Sequence, residues 1–426
     1  ADFKEIERVN LRCRIAPHII PSPWALAVTG LRPAQLDDPE LPALFEFTQE
    51  IRHLIDKWSP AIWTGFNSIR FDEEMLRQAF YQNLQPDIFA TQFNGNTRFD
   101  ILIALYAIWH REPDLLQWPV DETGRVRFKL DRIAPLNGFN GHNAHDALGD
   151  VEATIHIARL IAQRSPTLWA ELLDNRNKAH LQARLEQFQP MALVERFGGG
   201  APRATLGCFC GYSASNRNQA AFFDLDAADP GELLNADDAA LFAAVDASPK
   251  TIRSVSINKS PALLSHPAPT DVLLRRAEVI ANAPEFLARV ANALAARFPE
   301  DPTAPPSPVE KQIFGGFYSH ADKALLMEFQ RVDWRARQEI VAALSDARLR
   351  QLGRRLVAFY APELLLPVER TQYNTWLRER WATPDAPKTT WMTYGKAQLA
   401  LEEVQSAAQI DPAIIDEIST YLHRFA

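Results

Sequence analysis

The chain has 426 residues, a net charge of −8 at pH 7 and a pI near 5.8, with 47% hydrophobic and 23% charged residues. At roughly 100–200 residues per domain this length gives two to four domains. The three cysteines (Cys13, Cys208 and Cys210) exclude a disulfide framework, and no apolar run is long enough to span a membrane. So sparse and odd a cysteine set points to a reducing, cytoplasmic compartment. The acidic balance argues against a chain devoted to nucleic acid, yet a phosphate backbone responds to the local field, and a basic groove can sit on an acidic protein.

The start, Ala1-Asp2-Phe3-Lys4-Glu5, is not a secretory leader and lacks Met, so a processed or truncated chain is expected. Up to about residue 165 the pattern is mixed α/β. Asn10 to Ile15 alternates like a strand. Leu44, Phe45, Ile51, Leu54 and Ile55 recur at helical spacing, which predicts a helix over 41–58. Ala61 to Phe66 reads as a short buried strand and Phe71 to Gln82 as a helix. Further helices are expected over Ile101–Trp109, Lys129–Leu136 and Val151–Gln163. Strands interleaved with helices imply an α/β sheet domain.

Between about 170 and 300 the runs near 204–212, 220–225 and 252–258 suggest a small barrel or sheet, followed by a helical stretch from Asp271 to Phe298. Pro299, Pro302, Pro305, Pro306 and Pro308 read as a stiff linker. From 310 the pattern is helical, with Ser319 as an N-cap. The expected division is 1–166, 167–300, a linker at 301–309, and 310–426. The C-x-C of Cys208 and Cys210 has no second ligand pair at zinc spacing and reads as an apolar strand.

Two segments carry chemistry. In Gly65-Phe66-Asn67-Ser68-Ile69-Arg70-Phe71-Asp72 a buried strand ends, a turn follows, and a carboxylate opens a helix. Ligands in α/β sheets gather beyond the carboxyl ends of strands, so Asp72 is aimed at a site; a helix-start Asp favoured by the dipole is the plainer reading. The second segment runs His142-Asn143-Ala144-His145-Asp146-Ala147-Leu148-Gly149-Asp150. On one helix His145 and Asp150 would point about 140° apart. They share a site only if His145 lies in the preceding loop and Asp150 one turn inside the helix. Asp146 then caps that helix, and His142 is a surface loop residue.

Taken together, N-x-x-x-F-D after a strand and H-x-x-x-x-D some seventy residues later resemble the histidine-bearing branch of the DEDD exonucleases. Asn96-Thr97-Arg98-Phe99-Asp100-Ile101-Leu102, Trp118-Pro119, Phe128-Lys129-Leu130, Asn175-Arg176-Asn177-Lys178, Ser256-Ile257-Asn258-Lys259-Ser260-Pro261 and Phe314-Gly315-Gly316-Phe317-Tyr318-Ser319 extend the likeness. The chain resembles bacterial exodeoxyribonuclease I over nearly its whole length. The resemblance implies a ribonuclease-H-like α/β exonuclease domain, an SH3-like α+β domain with helices and an all-α C-terminal domain, the three enclosing a groove for single-stranded DNA. It implies 3′→5′ release of 5′-mononucleotides in DNA repair, with two Mg²⁺ ions (Mn²⁺ as a substitute) held by carboxylates. By that match Asp72 and Asp150 are metal ligands and His145 is the general base, a task its ordinary pKa of about 6.5 suits. Phe66, Asn67, Arg77, Phe128 and Lys129 would hold the strand, with core packing the alternative for each aromatic. Arg176, Lys178 and Arg184 extend that track or form a solvated helix face.

The family's other two carboxylates sit in an Asp-x-Glu on its first strand, and this chain has no such pair. The expectation is that the chain begins after that strand, lacks its first catalytic strand, and is inactive or badly impaired by itself. The resemblance also implies a monomer that docks the acidic tail of single-stranded-DNA-binding protein. An RNA 3′ exonuclease of the same superfamily and a catalytically dead single-strand clamp remain open.

Overall fold

The apolar run after Pro60 forms a strand, Ile62–Gly65 (β1), in the computed structural model, which describes residues 3–141, 147–299, 303, 307–383, 389–407 and 410–426. β1 pairs in parallel with Thr97–Asp100 (β2), and Gly65 lies opposite Asp100. Parallel neighbours need a long connection, and the helix Asp72–Gln82 lies within it. The helix Ile101–Arg111 starts directly after β2, where the Asp100 side chain caps the Leu102 N–H.

The chain forms two compact units. The first comprises Ala1–Glu5, Pro60–Glu73 and Thr91–Ala304; the second comprises Ile6–Ser59, Glu74–Ala90 and Pro305–Ala426. In the first unit one core gathers Phe99, Ile101, Leu105 and Ile108 with Ile133, Ile157, Ile161 and Trp169. It continues onto a five-stranded antiparallel sheet through Ala192, Val194 and Leu264. That sheet has the order Ile252–Ser256 (β6), Gln219–Asp224 (β5), Arg203–Tyr212 (β4), Met191–Glu195 (β3), Leu263–Ser265 (β7). Cys208, Cys210 and Phe223 pack against the helices Asp271–Ala281 and Pro284–Ala296. Burial pushes the Cys208 thiol up to about 12 and raises that of Cys210 as well, as suits apolar packing.

In the second unit the helix Leu44–Trp58 buries Phe45, Leu54 and Ile55, each worth about 1.5–3 kcal/mol once out of water. Phe45, Tyr81 and Leu84 share a core with Val309, Leu326, Phe329, Leu352 and Leu356. A second core joins Ile20 and Leu26 to Leu401, Ile418 and Leu422. Glu310 Oε1 accepts hydrogen bonds from Arg355 Nη1 (2.6 Å) and Arg380 Nη1 (3.0 Å), and both guanidiniums lie over the Trp376 ring. His18 is buried beside them and stacks on Phe359, with ring centroids 5.1 Å apart. Burial, then the charges of Arg380 and Arg355, push His18 down to about 3, so it stays neutral.

The mixed α/β arrangement and the helical C-terminal part agree with the fold class expected from sequence. Ser319 caps His320–Phe329 through Asp322 N–H at 3.0 Å, as its position predicts. Asp322 itself is buried and accepts from Ser345 N–H (2.7 Å), Ser345 Oγ (2.5 Å) and Asp346 N–H (3.2 Å). Burial alone would raise its carboxyl; these bonds outweigh burial and hold it below its ordinary value of 3.8. A depressed carboxylate stabilises the fold fully above its unfolded pKa and loses that contribution as pH falls through the folded one. The melting midpoint of the wild type is therefore expected to fall more steeply below about pH 3.8 than that of Asp322→Asn, which scanning calorimetry over pH 2–6 checks.

One expectation needs correction, one gains detail, and three strands are new. Residues 10–15 form no strand; Arg14 N–H and Ile15 N–H bond to Pro42 O and Leu36 O, at 2.9 Å each. Alternation sorts side chains between faces, but a strand also needs a neighbouring edge. The stretch 271–298 is two helices, because Pro284 starts a new one at its first turn. Finally, β2, β3 and β7 are strands that the sequence reading did not place.

Candidate active site

The turn between β1 and the helix Asp72–Gln82 is built to tight tolerances. A Cβ on Gly65 would stand 2.7 Å from Ser68 Cβ, so only glycine allows the chain to fold back there. Asn67 takes a left-handed φ of 61°, which Asn tolerates better than most residues. The turn closes through Phe71 N–H to Asn67 O (3.1 Å) and Glu73 N–H to Ser68 O (2.9 Å). Asn67→Gly is expected to leave stability nearly unchanged, while Asn67→Val costs about 1–2 kcal/mol in urea unfolding, because a β-branched residue resists that φ.

Asp100 fixes the turn from below. Its Oδ1 accepts from Asn67 N–H (2.8 Å) and Leu102 N–H (3.0 Å), and its Oδ2 accepts from Ile69 N–H (3.2 Å). It is 2% exposed. Burial pushes its carboxyl up to about 6 against those three bonds, and the charge of Asp72 adds to the rise. Sequence reading quoted Asp100 within a family segment but gave it no role. Its signal was an Asp between a strand and an apolar helix, the place of an N-cap.

Asp72 is the first residue of its helix and faces solvent. Partial desolvation, and after it the charge of Asp150, raises its carboxyl. Asp150 lies in the first turn of the helix Ala147–Arg164. The charge of Asp150 thus reaches Asp72, although the two come from distant segments of the chain. His145, His142 and Asp146 lie outside the described residues.

Beside Asp72, Glu73 is buried; it accepts from Thr91 Oγ1 (2.7 Å) and pairs with Arg98 (3.6 Å), whose Nη2 reaches Asn258 O at 2.6 Å. Glu73 therefore anchors the start of the helix that carries Asp72. Phe66 is half-buried against the core around Phe99. Phe71, the aromatic of the N-x-x-x-F-D motif, is 60% exposed and adjoins Asp72. Lys129 is exposed ahead of the helix Leu130–Leu136.

Other expected strand-binding residues turn out to be engaged in packing. Phe128 is 6% exposed, with its ring edge-on to Tyr106 and Trp109, tilted against Trp118, and Arg196 over one face. This favours the core-packing alternative over base stacking. Arg77 belongs to the second unit, where it is buried, pairs with Glu74 at 2.8 Å and lies 5.0 Å over the Phe89 ring. Arg176 donates to Leu173 O, Lys178 to Asn218 Oδ1, and Arg184 to Asn175 Oδ1. Asn175 in turn holds Pro261 O and Leu263 O at 2.9 Å each. That segment ties helix to sheet, so its cations are structural here rather than an open phosphate track.

A divalent ion of the magnesium type takes oxygen ligands, often from only one or two carboxylates, with water and substrate phosphates completing its shell. The Asp72 and Asp150 pair is a donor set of that kind. Among the described residues no group of three or more His, Cys, Asp or Glu stands close enough to enclose an ion. The Asp72 and Asp150 carboxylates fit two of the oxygen ligands such an ion takes.

Residues 307–425 match the family described as Exonuclease I C-terminal domain. Exodeoxyribonuclease I of Escherichia coli (strain K12) is 27% identical over 391 residues, which is 86% of this chain and 80% of that protein. The chain resembles exodeoxyribonuclease I. A structure of E. coli Exonuclease I in complex with a dA16 oligonucleotide superposes with a TM-score of 0.84 at 24% identity, covering 100% of this chain and 94% of that one. A structure of SSB/Exonuclease I in complex with the inhibitor CFAM gives 0.82 at 24% identity, with 100% and 93% covered. Among the described residues no helix is long and apolar enough to cross a membrane.

Proposed function

We propose that this chain serves a metal-dependent exonuclease that removes 5′-mononucleotides from the 3′ end of single-stranded DNA. The observation that carries the reading is the carboxylate pair. Asp72 opens the helix after the β1 turn and Asp150 lies in the first turn of a helix far along the chain, yet the charge of Asp150 reaches Asp72. An isolated helix-start Asp needs no such neighbour. Single-stranded DNA as substrate is supported by the oligonucleotide bound to the E. coli structure. A tail of single-stranded-DNA-binding protein as partner is supported by the SSB/Exonuclease I structure.

In this reading Asp72 and Asp150 hold magnesium, and a pair of such ions would supply an activated water and charge neutralisation at the leaving oxygen. His145 takes the proton from the attacking water. Phe66 and Asn67 seat the terminal nucleotide, Phe71 offers a ring to a base, and Lys129 meets a phosphate. Arg77 and Phe128 act through packing. The division into 1–166, 167–300, a linker at 301–309 and 310–426 belongs to the same reading, as does a place in DNA repair.

The test is magnesium-dependent release of nucleotides from 3′-labelled single-stranded DNA by the full gene product, with a matched RNA as competitor. Stepwise shortening from the labelled end, blocked by chelator and unaffected by the RNA, is expected. Binding without shortening would replace the nuclease by a single-strand clamp, and preferential digestion of the RNA would move the substrate class.

A further inference from the structure

Asp100 is a buried carboxylate whose acceptor capacity is spent on backbone. Three N–H groups point at it, two of them from the Asn67–Ile69 turn some thirty residues earlier in the chain. A turn lined by Gly65 and a left-handed Asn67 has no regular ladder to hold it. The carboxylate supplies what the ladder would, and hydrogen bonds to a charged acceptor are stronger than neutral ones. Parallel pairing sets Asp100 opposite Gly65, so its side chain arises where β1 ends.

We propose that Asp100 is the positioning residue of this site: it holds the Phe66–Ile69 turn in the one conformation that presents Phe66 and Asn67 to a strand's 3′-terminal nucleotide. The inference rests on the reading of that turn as the terminal-nucleotide seat. It assigns Asp100 no contact with substrate.

The chemistry offers a selective probe. Asp100→Asn keeps one acceptor oxygen, which satisfies Asn67 and the helix-capping Leu102 N–H, and turns an amide NH₂ toward Ile69 N–H. Donor then faces donor, and only the tether to Ile69 is lost. Two measurements follow. Hydrogen exchange is expected to speed about tenfold at Ile69 and its turn, with Leu102 and the helix Ile101–Arg111 unchanged. Without divalent ions, the affinity of wild type for linear dT12 over a circular single strand, which has no end, should fall toward one in the variant, with circular-strand affinity constant.

Unchanged exchange in the turn, or a uniform rise across the first unit, overturns the proposal. So does an end preference that survives Asp100→Asn. If the wild type itself shows no preference for a free end, the nuclease reading fails, and the exchange measurement alone decides whether Asp100 holds the turn.

Discussion

Asp72→Asn is expected to lower magnesium-dependent nucleotide release by the full gene product on the order of 10²–10³-fold, while binding single-stranded DNA slightly more tightly in chelator. The opposite signs come from one cause. Asp72 and Asp150 place two negative charges together, and partial desolvation with mutual repulsion already lifts the Asp72 carboxyl. With a divalent ion, those charges bind it. Without one, they repel a phosphate. Asn is close in size, keeps a polar group at the helix start and removes one charge, so the metal-free affinity should rise about two- to fivefold, the scale of a partly screened charge pair. Fluorescence anisotropy in chelator and a gel assay in magnesium measure the two effects. If release and metal-free affinity fall together, Asp72 is a helix-start carboxylate that supports the fold.

Glu310→Ala should destabilise the second unit by about 3–5 kcal/mol, the cost of leaving buried cations without their counter-ion. Its carboxylate is shared by Arg355 and Arg380, and the three side chains are 14%, 14% and 11% exposed. Burial by itself would raise the Glu310 carboxyl; the two guanidiniums and a backbone N–H hold it lower. The aromatic faces of Trp376 and Trp391 soften but do not replace the lost charge. Converting Glu310, Arg355 and Arg380 together to apolar residues of similar volume is expected to recover most of the loss, since the penalty lies in the unpaired charges. Urea unfolding of the single and triple variants separates the terms. A Glu310→Ala loss under about 1 kcal/mol would mean that water reaches the guanidiniums and the pair behaves as a surface bridge.

What was legible in the sequence depended on how local its cause is. The helix at 44–58 and the strand at 62–65 follow from apolar spacing, and the Ser319 cap from a single residue type. β3 was missed because four of its five residues are buried, so Met191 to Val194 lack the alternation of a half-buried strand. β2 was missed because its four residues include Arg98 and Asp100, charges that look like a loop until Glu73, Asn258 and the Asn67–Ile69 turn are seen around them. The expected strand at 10–15 failed for the converse reason, a correct alternation with no edge to join.

The site divides in the same way. Asp72 and Asp150 were legible as candidate ligands because a hard divalent ion favours carboxylate oxygens and the two motifs fix their places. That they share a neighbourhood was legible only through family resemblance, since no local rule links residues so far apart. Asp100 was not legible as a site residue, because it acts on backbone N–H groups that every residue carries. Phe128 illustrates the limit of residue type: an aromatic beside a lysine suits a strand-binding groove, yet Tyr106, Trp109 and Trp118 enclose it.

The second unit draws its core from both ends of the chain, joining Phe45 and Tyr81 to Leu326 and Phe329. On a ribosome its early helices would emerge and then wait while roughly 210 further residues are made, about 10–40 s at ordinary elongation rates. Through that interval the apolar faces of Phe45, Leu54 and Ile55 have no native partner within their own unit beyond residues 6–59 and 74–90. Such a nascent chain is a natural client for a holding chaperone, and its yield should depend on translation speed across the middle of the message more than on the strength of the finished core.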